Sequence, residues 1–185
     1  MALTESTMLE LGTIAPDFLL IDVVSGKTVT RDELSGRKGL LIIFLSAHCP
    51  YVKHIEKNLG ELGAHYADQP LAIVAISSDD AATSPDDAPI NLKVQAESNA
   101  FNFPYLYDET QEVAKAYKAT CTPDIFLFDE DLKLVYRGEY DSSRPGNGIP
   151  VSGEDLRFSI DLLLSDQKIP TDQRPSIGCE IKWKA

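Results

Sequence analysis

Continuous apolar runs and apolar residues at helical spacing alternate along the chain. Gly39 to Leu45 and Leu71 to Ile76 are uninterrupted apolar runs, which indicate strands covered on both faces. Between them, from Pro50 to Tyr66, apolar residues recur every three or four positions and polar residues fill the other face. The pattern predicts a strand, an amphipathic helix of about four turns and a second strand.

Weaker patterns extend this prediction over the rest of the chain. Two more helices and two antiparallel strands are predicted at residues 90–100, 111–117, 125–128 and 132–136. Ser152 is predicted to cap a last helix that ends near Leu164, and residues 18–30 are predicted to form a hairpin. Prolines and a glycine predict an irregular C-terminal tail over residues 165–185.

The order of these elements predicts one domain of the α/β class over residues 1–185. Its expected architecture is a central mixed sheet flanked by helices on both faces, with the hairpin as an N-terminal extension. The chain has 185 residues, which is the size of one ordinary domain.

The charge balance excludes several classes of partner. Seventeen basic residues against 29 acidic ones give a formal charge of -12, which repels nucleic acids and anionic membrane surfaces. No run approaches the ~20 apolar residues of a membrane span, and the first residues lack a basic start or a signal-type apolar stretch. We therefore expect a cytoplasmic protein. No glycine-rich phosphate loop follows a strand, so no cofactor is expected.

The chain has three cysteines, Cys49, Cys121 and Cys179. Cys49 stands where the first buried strand meets the amphipathic helix, and Pro50 suits the first helical position. A cysteine at the N-cap faces unpaired N–H groups and the positive end of the helix dipole, which stabilise a thiolate. The placement predicts a reactive thiol; the alternative is a cysteine that only packs at the end of the strand.

Three separate segments carry a resemblance to a known family. Gly12 to Phe18 contains the motif Ala-Pro-Asp-Phe, Cys49-Pro50 follows the first buried strand, and Thr122-Pro123-Asp124 precedes a later one. Together they resemble the thioredoxin superfamily, in its peroxiredoxin-like branch of alkyl hydroperoxide reductase, thiol-specific antioxidant and redoxin proteins. The resemblance implies a thioredoxin-like three-layer sandwich, a cis peptide bond before Pro123 and catalysis by Cys49.

The resemblance also assigns the surroundings of Cys49. Ser46 or His48 would donate a hydrogen bond to the sulfur, and Thr122 with Pro123 would form the opposite wall of the site. Peroxiredoxins carry an arginine where this chain has Pro123, so Arg137 or Arg144 would have to support the developing anion. Each of these arginines could equally be an ordinary surface residue.

The identity of the resolving thiol is left open by the sequence. Val52 occupies the position of the second thioredoxin cysteine, which excludes that dithiol. Cys121 and Cys179 are the two candidates. For each of them the alternative is a buried residue that serves only in packing.

The expected function is that of a thiol oxidoreductase with one reactive cysteine, which reduces disulfides or peroxides in a redox or antioxidant role. Its partners would be a peroxide or disulfide substrate and a thioredoxin-like or glutathione-like reductant, and it would be a monomer or a homodimer. The alternative is a non-catalytic binding module with the same fold. His48, His54 and His65 do not form a zinc-type cluster, so no metal is expected.

Overall fold

The computed structural model describes residues 3–185 of the chain. Residues 1–2 lie outside the described part. The strands and helices follow in chain order: β1 Leu3–Glu5, β2 Leu19–Asp22, β3 Thr28–Thr30, α1 Arg31–Leu34, β4 Gly39–Phe44, α2 Pro50–His65, β5 Leu71–Ser77, a 3-10 turn at Pro85–Asp87, α3 Pro89–Ser98, β6 Tyr105–Tyr107, α4 Glu112–Tyr117, β7 Cys121–Thr122, β8 Asp124–Asp129, β9 Leu134–Tyr136, α5 Glu154–Leu164 and β10 Ile177–Glu180.

The main sheet has seven strands in the order β3-β2-β6-β5-β4-β8-β9. The strands β4, β5 and β6 run parallel, while β2 with β3 and β8 with β9 are antiparallel. The mixed sheet, the hairpin of β2 with β3 and the hairpin of β8 with β9 are confirmed. The strand β6 was not predicted, because it is only three residues long and lies among aromatic residues that suit several structures.

Both faces of this sheet are covered, which confirms the predicted layers. Along β4 the side chains alternate between two apolar cores, with Leu41 and Ile43 in one and Leu40 and Ile42 in the other. The first core also receives α2, α3 and α5, and the second receives α4 and parts of the N-terminal segment. Because β4 is central, its carboxyl end is held firmly at the start of α2.

The helix α2 forms where the periodicity placed it. Its apolar stripe of Val52, Ile55, Leu59 and Leu62 is buried against the sheet. Pro50 takes the first position, where a missing N–H costs no hydrogen bond. The strand and helix on either side thus position Cys49, which is the N-cap residue as predicted.

The C-terminal tail contains a strand, so the prediction of an irregular segment over residues 165–185 is wrong in this part. The strand β10 pairs antiparallel with β1 on one side and with β7 on the other, in a second sheet of three strands. Both partner strands are distant in the sequence, so no local pattern identifies them. This small sheet brings the C-terminal tail to the end of β4.

The helix α5 begins after Gly153 and not at Ser152, because the carboxylate of Asp141 accepts the backbone N–H groups of both residues there. Among residues 3–185, none of the helices has the length and apolar character that crossing a bilayer requires.

Candidate thiol active site

Cys49 is fully buried at the start of α2, with none of its surface exposed. Its side chain makes no capping hydrogen bond to the helix, and Sγ turns instead toward two other segments. Sγ donates to the carbonyl oxygen of Thr122 at 3.1 Å and lies 2.7 Å from Sγ of Cys179. Three segments that are far apart in the sequence therefore meet at this sulfur.

Thr122 and Pro123 form one wall of the site, as predicted. The peptide bond between them is cis. Thr122 belongs to β7, which pairs with β10 so that Thr122 stands opposite Cys179. The same short strand thus holds Cys49 through the carbonyl group of Thr122 and holds the backbone of Cys179 through strand pairing.

Of the two candidate resolving thiols, the structure brings Cys179 to Cys49. Burial and the contact with Cys49 raise the pKa of the Cys179 thiol to about 12, against a smaller opposing effect of the backbone N–H of Tyr51. Cys179 is therefore a protonated thiol at neutral pH. Because the attacking species in thiol–disulfide exchange is the thiolate, Cys179 must lose this proton before it can attack a disulfide.

Cys121 occupies a different environment. It is fully buried, and its Sγ contacts the carbonyl oxygen of Pro123 at 3.7 Å. Burial raises the pKa of its thiol far above the usual range. Within residues 3–185 its sulfur makes no hydrogen bond to either of the other cysteines. Cys121 therefore packs in the interior as a small apolar residue.

Ser46 and His48 both border Cys49, but their side chains bond to other groups. Ser46 Oγ and Thr122 Oγ1 lie 3.0 Å apart in the buried wall of the site. The His48 ring binds the carboxylate of Asp87 through Nδ1. The resemblance implied that one of these side chains would donate a hydrogen bond to the Cys49 sulfur. In the structure neither of them does.

The environment of His48 is acidic. The hydrogen bond with Asp87 is the main cause that raises the pKa of the imidazole, and burial opposes it. Burial raises the pKa of the nearby Asp79 carboxyl to about 6. Sequence reasoning missed both carboxylates, although the position of Asp79 just after β5 offered a signal, since neighbouring parallel strands end at the same edge.

The guanidinium groups of Arg137 and Arg144 make structural contacts. Arg137 donates to the backbone oxygen of Leu9 and to the side chain of Gln173, and burial lowers its pKa. Arg144 pairs with Glu139 and donates to the backbone oxygens of Asp141 and Ser143. Among residues 3–185, neither guanidinium group donates a hydrogen bond to Cys49.

A buried cysteine at the start of a helix, which faces a cis-proline segment at the end of a mixed sheet, defines a thioredoxin-fold thiol oxidoreductase. Residues 11–137 match the model of the AhpC/TSA family, and the chain belongs to that family. The predicted fold and the predicted thiol-based redox function are confirmed, whereas the binding-module alternative gains no support.

Three similar proteins illustrate the relationship. A solved structure of an uncharacterized conserved protein from Geobacillus kaustophilus is 50% identical, with a TM-score of 0.97 and coverage of 100% of this chain and 97% of that one. Thiol-disulfide oxidoreductase ResA from Geobacillus thermodenitrificans is 28% identical over 131 residues, which are 71% of this chain and 70% of the relative. The thioredoxin domain of a thiol-disulfide oxidoreductase from Bacteroides vulgatus shares the fold, at 21% identity and a TM-score of 0.66, over 84% of this chain and 99% of that domain.

Proposed function

We propose that this protein is a thiol-disulfide oxidoreductase that cycles between a Cys49 and Cys179 dithiol and an intramolecular disulfide. The observation that carries the proposal is the contact of the two sulfur atoms at 2.7 Å. The name of the relative ResA supports the same reaction type. Cys179 would take the role that Val52 cannot take at the position of the second thioredoxin cysteine.

The reaction requires two exchange steps. In the first, the Cys49 thiolate attacks one sulfur of a substrate disulfide; a bond forms between Cys49 and that sulfur, the substrate disulfide breaks, and the other substrate sulfur leaves as a thiolate that takes up a proton. In the second, Cys179 loses its proton and its thiolate attacks the Cys49 sulfur; a bond forms between Cys179 and Cys49, the mixed disulfide breaks, and the remaining substrate sulfur leaves as a thiolate. The proton of the Cys179 thiol passes to this leaving thiolate. The substrate gains two electrons, and the protein becomes a disulfide.

The two cysteines would have unequal roles because their surroundings differ. Cys49 stands at the N-terminus of a helix of 16 residues, which is the positive end of the helix dipole, whereas Cys179 lies on a strand. Cys179, with a pKa raised to about 12, holds its proton until the second step. This division assigns the first attack to Cys49 and its resolution to Cys179.

Access to Cys49 would require movement of the strand β10. Beside Pro123 the surface has a cleft of about 20 Å³, which is room for about one water molecule. A disulfide on a peptide or protein is far larger than this cleft. We therefore propose that β10 separates from β7 when such a substrate binds, and returns when Cys179 resolves the mixed disulfide.

A complete cycle needs a reductant, because the protein itself is left oxidised. A thioredoxin-like protein or glutathione would reduce the Cys49 and Cys179 disulfide by the same exchange chemistry in reverse. We propose the cytoplasm as the compartment, since such thiol reductants are maintained there. An antioxidant role would follow if peroxides also oxidise Cys49.

The test is to treat the fully reduced protein with oxidised glutathione and to map the products by mass spectrometry. Wild-type protein should give a linked pair of peptides that contain Cys49 and Cys179. The Cys179→Ser and Cys179→Ala variants should instead accumulate glutathione on Cys49. The Cys121→Ser variant is the matched control and should behave as wild type.

Equal yields of the Cys49 adduct in wild type and in both Cys179 variants would overturn the proposed cycle. A parallel reaction with hydrogen peroxide distinguishes the peroxidase alternative. If Cys49 reacts with peroxide no faster than a free thiol while the glutathione reaction proceeds, disulfide exchange is the activity. A fast peroxide reaction with no exchange would assign the protein as a peroxidase.

A further inference from the structure

Next to the thiol site, three segments place metal-ligand side chains together in the interior. His48 lies between β4 and α2, Asp79 follows β5, and Asp87 lies in the 3-10 turn. One potential ligand atom from each of the three lies within 4.8 Å of the other two. Asp79 is 2% exposed and Asp87 is fully buried, so these are not the solvated carboxylates of an ordinary acidic surface.

Two polar atoms in this cluster lack a partner although they are buried. Among residues 3–185, neither Nε2 of His48 nor Oδ2 of Asp79 has a hydrogen bond. Buried polar atoms in proteins are nearly always paired, so two unpaired atoms in one cluster point to a missing partner. Both atoms are of the kinds that bind divalent metal ions.

The remaining atoms of the three side chains are all held in place. Asp87 Oδ1 accepts the N–H groups of Ala47 at 2.6 Å and of His48 at 3.2 Å, while its Oδ2 binds Nδ1 of the imidazole. Asp79 Oδ1 accepts the N–H of Lys182 at 2.6 Å. A carboxylate on Nδ1 keeps the proton there and leaves the lone pair of Nε2 free, which is the usual support of a metal-binding histidine.

We infer that this cluster, hereafter the His48 cluster, is a binding site for a divalent transition-metal cation. Nε2 of His48 and Oδ2 of Asp79 would bind the ion, and Asp87 would orient the imidazole. Metal binding would require the imidazole to be neutral, so the ion would displace the proton on Nε2, and its two positive charges would then balance the carboxylates of Asp79 and Asp87. A mixed nitrogen and oxygen donor set favours ions such as Zn²⁺, Co²⁺ or Mn²⁺ over Ca²⁺ and Mg²⁺, which prefer oxygen alone.

The three side chains come close enough for a shared ion after a small shift. One ligand atom of each lies within 4.8 Å of the other two, whereas two atoms that bind one metal at about 2.0–2.2 Å lie at most about 4.4 Å apart. The sequence predicted no metal, because the two carboxylates lie far from His48 along the chain. The cluster also contacts the C-terminal tail through Lys182, so a bound ion would help to fix the segment that follows Cys179.

Calorimetric titration of the full chain with Zn²⁺, and absorption spectra with Co²⁺, test this inference. Cysteine thiolates also bind these ions, so the titrations use protein in which Cys49, Cys121 and Cys179 are all replaced by Ser. One ion per chain should bind, and the Co²⁺ spectrum should lack the near-ultraviolet band of sulfur ligation. Asp79→Asn should weaken binding at least tenfold, because the amide can still accept from Lys182 while the charge is lost.

Asp86→Asn is the matched control, since Asp86 is exposed, adjacent to Asp87 and outside the cluster. It should change the affinity less than twofold. Circular dichroism without metal verifies that each variant is folded. If Asp79→Asn does not fold, His48→Gln takes its place as the variant that should weaken binding. Absence of binding to the folded triple-Ser protein, or equal affinities for Asp79→Asn, His48→Gln and Asp86→Asn, would overturn the inference.

Discussion

A β-carbon placed on Gly178 would lie 2.0 Å from the carbonyl oxygen of Thr122 and 2.7 Å from its carbonyl carbon. Real β-carbons do not approach other atoms this closely, and the obstacle is backbone that cannot turn aside. Only glycine therefore allows β10 to reach β7. The neighbouring Cys179 owes its position beside Cys49 to this contact.

Gly178→Ala is expected to push β10 away from β7. The added methyl group should cost ~1–3 kcal/mol of unfolding free energy, as overpacking in a tight contact does. Formation of the Cys49 and Cys179 disulfide should slow about tenfold, because a clash that raises the close arrangement about 1.4 kcal/mol above the displaced one leaves only about one molecule in ten in it. Disulfide formation in a glutathione buffer and thermal unfolding measure the two effects.

The matched control for that experiment is Glu180→Ala, since Glu180 is an exposed residue of the same strand. It should leave both measurements near the wild-type values. Wild-type rates in Gly178→Ala would show that β10 does not need the close approach.

Thr122→Val is expected to destabilise the wall of the site. The change preserves the shape of the side chain but leaves Ser46 Oγ, which is buried, without its partner. The expected cost is ~1–3 kcal/mol. Ser46→Ala should cost a similar amount, and the double variant should cost less than the sum, because it leaves no unpaired hydroxyl. Denaturant unfolding of the four proteins measures the coupling, and strictly additive costs would contradict it.

Arg144→Ala is expected to reduce stability and to leave the chemistry of Cys49 unchanged. Arg144 pairs with Glu139, which is only 5% exposed, so its removal leaves a buried carboxylate with less compensation. The expected loss is ~2–4 kcal/mol. Arg174 contacts the same carboxylate from an exposed position. Arg174→Ala should therefore lower the unfolding free energy by at most about 1 kcal/mol.

The peroxide reaction of Cys49 in Arg144→Ala then tests the role that the family resemblance suggested. We expect the wild-type rate, measured under conditions in which the variant is fully folded. A large decrease in that rate would show that Arg144 supports the reaction of Cys49 with peroxide.

Asp124 is expected to make stability depend on pH. Burial raises the pKa of this carboxyl from 3.8 to about 7. Between these values the folded state keeps the proton that the unfolded state loses, so the unfolding free energy falls as pH rises, by at most about 1.4 kcal/mol per unit. Above pH 7 the contribution is constant. Asp124→Asn should remove this slope.

The measurement is urea unfolding of the wild type and of Asp124→Asn at intervals from pH 4 to pH 8. The exposed Asp131→Asn serves as the reference for an ordinary carboxylate. Parallel curves for wild type and Asp124→Asn across this range would contradict the shift.

The elements that could be predicted from the sequence are those with a local cause. Cys49 could be placed at a helix start because the strand, Pro50 and the apolar stripe of α2 all lie within a few turns of it. The role of Cys179 could not be decided from the sequence. The strand β10 is only four residues long, and its partners β1 and β7 are both far from it along the chain. Asp79 and Asp87 are likewise joined to His48 only by the folded chain.

The contact between Cys49 and Cys179 spans 130 positions of the sequence. Oxidation of this pair would close most of the polypeptide into a covalent ring, which restricts the unfolded chain and is worth about 5 kcal/mol in the loop-entropy model. The oxidised protein should therefore withstand heat and denaturant better than the reduced one. Every turn of the redox cycle would in this way also change the topology of the chain, and the resistance of the protein to unfolding would report its oxidation state.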